Sequence, residues 1–434
     1  MLCVGIMSLP GMATFAHAQE TDPLPIPSEL RFSLRDAMRA AVDHNYTVKI
    51  VREQIAQAAG QAITQRGALL PNLSARASGA RRRFFFGAFG GSPSVSKPLN
   101  FYESRLSLTQ NLFSLSLIQR WRAARTNVEV ATLSAETQKM DTMAAVALAY
   151  LETLRVRRAV AARLADARLS HALLRLAMER KAAGMATRLD VTRARVQLKN
   201  EKQRLLVARN AYHRANLDLS RAIGLPFETK LTLTDTLTLV DIAPQTVSEA
   251  LQVANAHRVE LKAQKRRERL ASLRLSSVTM ERVPSLVGSG DVGVIGNQIP
   301  NALTTNNVQL LLSIPIFDGG QREGRISEQR STVRLEAIRT QDLQNQVALE
   351  VRTALLTLDS TRQQVRVAQA GLRLAFQELH LARQRFAVGV ATNIEITDAQ
   401  TSVAQARDNL IDALFNFNAA RVDLARAQGQ LEDF

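Results

Sequence analysis

Ala183-Gly184-Met185-Ala186-Thr187-Arg188-Leu189-Asp190-Val191 decides the fold, because its pattern returns within Arg385-Phe386-Ala387-Val388-Gly389-Val390-Ala391-Thr392-Asn393-Ile394-Glu395-Ile396-Thr397-Asp398-Ala399-Gln400. Each copy is a glycine break between two very long helical runs. Ser114 to Ala183 contains no Gly or Pro, and neither does Met185 to Ile223, which ends at Gly224-Leu225-Pro226. Arg325 to Val388 is interrupted only by Gly371, and Val390 to Gln428 continues to Gly429. At 1.5 Å rise per residue, the first run makes on the order of 100 Å of helix. Apolar residues recur at three and four along these runs, and Leu198, Leu205 and Tyr212 form one row spaced by seven, a coiled-coil signature.

The spacing shows a duplication. Gly184 to Gly389 and Gly224 to Gly429 are both 205 residues apart, whereas Ala37 to Ala250, His44 to His257 and Pro71 to Pro284 are each 213 apart. The offset changes at one place only, between Pro71 and Phe113 in the first copy and between Pro284 and Phe317 in the second. Around that place the period switches to two. Tyr102, Ser104, Leu106, Leu108, Gln110 and Leu112 face opposite to Glu103, Arg105, Ser107, Thr109, Asn111 and Phe113. Val308, Leu310, Leu312, Ile314 and Ile316 oppose Asn307, Gln309 and Ser313, and weaker alternating runs begin at Leu73 and Leu286. Each copy therefore supplies one hairpin of strands about ten residues long, near the length that crosses a bilayer at a tilt. Four strands cannot close a barrel, and an open edge in lipid leaves backbone groups unpaired, so membrane insertion demands oligomers. Two chains give eight strands and a filled interior; three give twelve and room for a channel. Edge hairpins of a soluble domain remain the alternative.

Composition narrows the function. Aromatics make up 5% of the chain, and the net charge is +17. Such a charge suits nucleic acid, an anionic membrane surface or solvated helix faces. No helix-turn-helix, zinc-finger spacing or basic stripe with stacking aromatics accompanies it, so no nucleic-acid partner is expected. The dense run Arg81-Arg82-Arg83-Phe84-Phe85-Phe86 leads into Gly87, Gly90, Gly91 and Pro93 and reads as a strand entering a loop. Leu2 to Phe15 followed by Ala16-His17-Ala18 reads as a signal peptide over 1–18, without the usual preceding basic residue. Cys3, the only cysteine, lies inside it, which leaves no expected disulfide, thiolate metal site or cysteine nucleophile. No later stretch has about 18 consecutive apolar residues, so a helical membrane span is not expected. His44, His171, His213, His257 and His380 are scattered without metal-ligand or catalytic spacing, and no phosphate-binding glycine loop follows a strand. No enzyme activity, cofactor or metal is expected.

The stretch from Arg385 to Gln400 resembles the R-Y-x-x-G-x-x-T-x-x-D-V-x-D-A-Q segment of the TolC family of outer-membrane efflux proteins, and Ala183 to Val191 is its counterpart in the first copy. Leu108-Thr109-Gln110-Asn111-Leu112-Phe113 and Leu312-Ser313-Ile314-Pro315-Ile316-Phe317-Asp318-Gly319-Gly320 are similar to that family's strand-to-helix junctions. The resemblance covers nearly the whole chain after residue 18. It implies a mainly α protein with a membrane β-barrel portion: a homotrimer whose twelve strands cross the outer membrane and whose antiparallel coiled-coil helices form a periplasmic tube. The expected organisation is a first repeat over 19–226, an equatorial linker over 227–245 and a second repeat over 246–434. Leu231 to Thr234 and Leu237 to Leu239 are expected to be equatorial strands. A periplasmic adaptor would dock on the tips formed by Gly184, Met185, Ala186 and Thr187, and by Val388, Gly389, Val390, Ala391 and Thr392. An inner-membrane transporter would drive the export of drugs or other small molecules.

The same resemblance places Glu395 and Asp398, three apart on one helix face, at a closed aperture. Two family positions differ here: Phe386 stands where tyrosine is usual, and Ala391 where arginine can occur. A latch from either to Asp190 cannot form, which leaves Arg188 as the substitute. Polypeptide secretion through the same architecture is the alternative function, and a non-conducting periplasmic coiled-coil scaffold is the alternative of a different class.

Overall fold

The computed structural model describes residues 29–83, 85, 94–388 and 390–433. The signal-peptide region, Cys3, the loop around Gly87 and Gly389 lie outside them. The long runs are helices with identifiable ends. Helix α3, Leu115–Ala182, starts where the Ser114 hydroxyl accepts from the Leu117 amide, and its last turn carries Arg180 and Lys181. Helices α4 (Arg188–Ile223), α7 (Gln321–Ala387) and α8 (Asn393–Gln428) complete two hairpins, α3 with α4 and α7 with α8. Helix α7 begins four residues before Arg325 and carries Gly324 in its first turn. Leu198 and Leu205 of the row spaced by seven are buried.

Shorter elements join these hairpins. Strand β1 (Glu29–Phe32), α1 (Leu34–His44) and α2 (Tyr46–Gly67) precede the first strand hairpin, and β4 (Lys230–Leu233), α5 (Val247–His257) and α6 (Val259–Thr279) precede the second. Duplication extends to the caps. Ser33 and Asp36 form a capping box on α1, and Thr246 and Glu249, 213 residues on, form one on α5. The two offsets meet at a joint that is built twice. Asn45 donates to the Ala222 carbonyl at the end of α4, and Arg258 donates to the Ala427 carbonyl at the end of α8. At the same joint the left-handed Gly224 abuts His44, and the left-handed Gly429 abuts His257.

The strands form one antiparallel sheet in the order β2 (Asn72–Arg82), β3 (Leu99–Phe113), β5 (Ser285–Gly296), β6 (Leu303–Ser313). The second hairpin ends at Ser313 rather than continuing to Phe317, because Pro315 lacks the N–H a ladder needs. Register puts directly opposed residues on one side. Leu73, Leu108, Gly290 and Val308 align, as do Ala75, Leu106 and Val292, to give an apolar face. On the other face Arg105 reaches Asp291 at 2.7 Å, Glu103 at 2.9 Å and the Thr305 hydroxyl at 3.3 Å. Among the described residues, strands β2 and β6 each pair along one edge only.

The main core lies midway along α3, where α1, β1 and β4 pack on it and on the C-terminal parts of α4 and α8 around the fully buried Tyr150, Phe417, Leu219 and Ile223. Strands β1 and β4 pair in parallel. The expected second strand at Leu237 to Leu239 is irregular backbone: Leu237 turns into the core, and Asp235 is held by side-chain bonds in place of a ladder. The Tyr150 hydroxyl lies 3.0 Å from both the Phe32 carbonyl and the Asp235 carboxylate, and Arg157 donates to the carbonyls of Leu233 and Asp235.

Candidate aperture and docking tip

The first tip is a tight turn closed by backbone bonds. The Met185 amide donates to the Arg180 carbonyl at 2.8 Å, and Gly184, at φ +77°, takes the left-handed conformation that lets the chain reverse. Thr187 then caps α4. Its amide and hydroxyl donate to the Asp190 carboxylate at 2.9 and 2.7 Å, and its hydroxyl accepts from the Asp190 amide. These bonds hold the Asp190 carboxyl below its ordinary range, so Asp190 serves the turn of its own hairpin. Arg188, the first residue of α4, is exposed. Met185 and Leu189 are exposed and Ala186 is half-buried.

The second tip uses the same plan with different side chains. The amides of Val390 and Ala391 both donate to the Arg385 carbonyl, and Thr392 occupies the cap of α8 without a side-chain cap bond. Glu395 sits where Asp190 sits in the first copy, but it turns to Arg385 of α7 at 3.7 Å. That pair is exposed and contributes little. Ala391 is buried among Phe386, Ile396 and Ala399, so its small side chain serves the packing of its own hairpin. Val388, Val390 and Ile394 present exposed apolar surface, as Met185 and Leu189 do on the first tip. Between the tips, Thr192, Arg193, Val196 and Gln197 of α4 face Ile394, Thr397 and Asp398 of α8 across a groove of about 310 Å³.

Arg180, which sequence reading passed over, ties the tips together. From the last turn of α3 it donates to the Phe386 and Ala387 carbonyls, the latter at 3.0 Å, and stacks 4.1 Å from the Phe386 ring centre. Those carbonyls belong to the C-terminal turn of α7, the negative end of its dipole. A phenyl ring at 386 offers Arg180 an apolar face to stack on. A basic pair in the final helical turn was the only sequence signal.

The sequence profile of the outer membrane efflux protein family matches residues 38–225 and 250–430. The chain belongs to that family. Outer membrane protein TolC of Escherichia coli (strain K12) is 20% identical over 98% of this chain and 85% of its own length. Outer membrane protein OprJ of Pseudomonas aeruginosa is 26% identical over 91% of this chain and 84% of its own. Among solved structures, the CmeC outer membrane channel of Campylobacter jejuni superposes with a TM-score of 0.80 at 16% identity, over 92% of this chain and 86% of that one. This efflux protein is thus an outer-membrane channel with long helices reaching into the periplasm. Its family membership accounts for the doubled tip and the doubled strand hairpin together.

Proposed function

We propose that three copies of the chain close a twelve-stranded barrel around one pore and that the pore passes small molecules delivered by an inner-membrane transporter through a periplasmic adaptor. The observation that carries this reading is the sheet. Four strands with an apolar face, a charged face and two free edges are one third of a wall that is stable in lipid only when its edges are paired. Threefold closure turns the face bearing Arg105, Glu103 and Asp291 toward a water-filled interior and the face bearing Leu108 and Val308 toward lipid. The exposed apolar residues Met185, Leu189, Val388 and Val390 around each tip suit an adaptor that docks end-on. Glu395 and Asp398, repeated by threefold symmetry, form the acidic mouth of the pore.

Stepwise current from the purified trimer in planar bilayers tests the pore; a correctly assembled trimer that carries none is a scaffold. A cysteine at Asn301, in the short turn between β5 and β6, should react with an impermeant thiol reagent on intact cells. Labelling only after permeabilisation of the outer membrane would reverse the topology.

A further inference from the structure

Well above the tip, four charged side chains cross between the two hairpins. Arg163 and Asp166 lie one turn apart on α3, and Arg407 and Asp408 are neighbours on α8. Arg163 donates to Asp408, Arg407 donates to Asp166, and Arg163 also reaches Asp166 at 3.4 Å. Charge alternates along Asp408, Arg163, Asp166 and Arg407, and because the two ends are adjacent in sequence the four close into a ring. The ring is largely withdrawn from water: the Asp166 side chain is 8% exposed and that of Arg163 17%. From α4, Glu201 packs beneath it with its side chain 4% exposed and accepts from Gln197 and Arg204. From α7, the Phe376 ring covers Arg407, with 5.1 Å from guanidinium to ring centre.

Buried ion pairs are poor sources of stability, because desolvation offsets their attraction. Burial indeed pushes the Asp166 and Glu201 carboxyls above their ordinary range despite the adjacent arginines. What such a set supplies is register. Helices α3 and α8 run antiparallel along the seam between the hairpins. A slip of one turn, about 5.4 Å, would place Asp166 opposite Val403 or Ile411 instead of Arg407, break the bond between the helices, and leave Asp166 only the longer contact with Arg163 on its own helix. The apolar contacts below the ring, Leu169, Leu173 and Leu176 against Ile396 and Val403, tolerate such a slip far better, since one aliphatic side chain replaces another.

The ring lies 16 residues before the end of α3, roughly 24 Å above the tip at 1.5 Å per residue. A tube built of hairpins can change the width of its mouth only by sliding or splaying them along their seams, so a contact that forbids sliding here governs the mouth below. We propose that Arg163, Asp166, Arg407 and Asp408 form the gating latch of the channel, fixing the axial register of one hairpin on the other in the closed state. The latch rests on the channel reading above. It acts where a bond from residue 386 or 391 to Asp190 is absent, since Phe386 has no donor and Ala391 no polar atom.

Single-channel recording of the assembled trimer tests it. Asp166→Asn and Arg407→Gln should each raise the resting open fraction on the order of tenfold. Arg204→Gln, which removes a bond inside one helix, should leave it unchanged. If the two buried variants fail to form trimers, Asp408→Asn at the most exposed corner of the ring carries the same test, with a smaller rise expected. A wild-type trimer without current removes the channel reading and the latch with it. A conducting wild type with unaltered single variants removes the latch alone.

Discussion

Two glycines with the same backbone hand bear very different loads. Gly224, at φ +92°, would carry a Cβ 2.5 Å from the His44 carbonyl oxygen, whereas Gly184, at φ +77°, faces open space. Gly224→Ala should therefore cost about 3 kcal/mol or more, from left-handed strain plus a backbone collision, and Gly184→Ala about 1 kcal/mol from strain alone. Thermal dissociation of the trimer, followed by gel shift, separates the two. Thr187→Ala should cost about 1 kcal/mol by removing the cap of α4. The pH dependence of that cap follows from Asp190. Its folded pKa lies below its unfolded value, so its contribution is complete above the unfolded pKa, near 3.8, and is lost as pH falls through the lower, folded value. Between pH 5 and pH 8 the first tip should be insensitive to acid in hydrogen-exchange measurements.

At the scale of elements, the equatorial segment after β4 is held by side chains where a sheet would have used backbone. Tyr150→Phe keeps the buried ring but removes the hydroxyl shared by Phe32 and Asp235, and should cost about 1 to 2 kcal/mol. Proteolysis within 234–245 should speed up in that variant; an unchanged rate would mean that Arg157, the Leu34 amide on Asp235 and Asn418 on the Thr238 carbonyl hold the segment without the hydroxyl. The strands depend on their environment instead. Val308 lies on the apolar face, 87% exposed in the single chain. Val308→Arg should destabilise the membrane-inserted trimer by about 2 to 4 kcal/mol, whereas Asn307→Arg, facing the interior, should leave assembly intact. The yield of heat-resistant trimer distinguishes them.

For the whole molecule, threefold closure multiplies each tip carboxylate into a ring. Crowded like charges favour a bound cation. Replacing both Glu395 and Asp398 with alanine should weaken block by multivalent cations and raise resting conductance, with a change of stability no larger than about 0.5 kcal/mol because both are surface groups. Conductance and block that match the wild type in verified trimers would move these residues to the outer face of the tube. The buried ring around Asp166 predicts a gating change without a change in cation block, so the two sites can be told apart in one set of recordings.

Local, periodic features of this efflux protein were legible in its sequence. Helix lengths followed from runs without Gly or Pro, the tips from Gly184 and its repeat, and the strand faces from alternation at Leu106, Leu108, Val308 and Leu310, because period and backbone hand are properties of neighbouring residues. The duplication followed from offsets of 205 and 213 that any pair of matched residues preserves. Contacts between distant segments were decided by the tertiary structure. Asp190 was legible as an acidic tip residue but not as the cap partner of Thr187, since a carboxylate three residues into a helix serves a cap or a lumen equally well. Nothing near residue 180 in sequence pointed to residue 386. Arg163, Asp166, Arg407 and Asp408 looked like ordinary charges on solvated helix faces, and only the packing of α3 on α8 took water away and made them a ring.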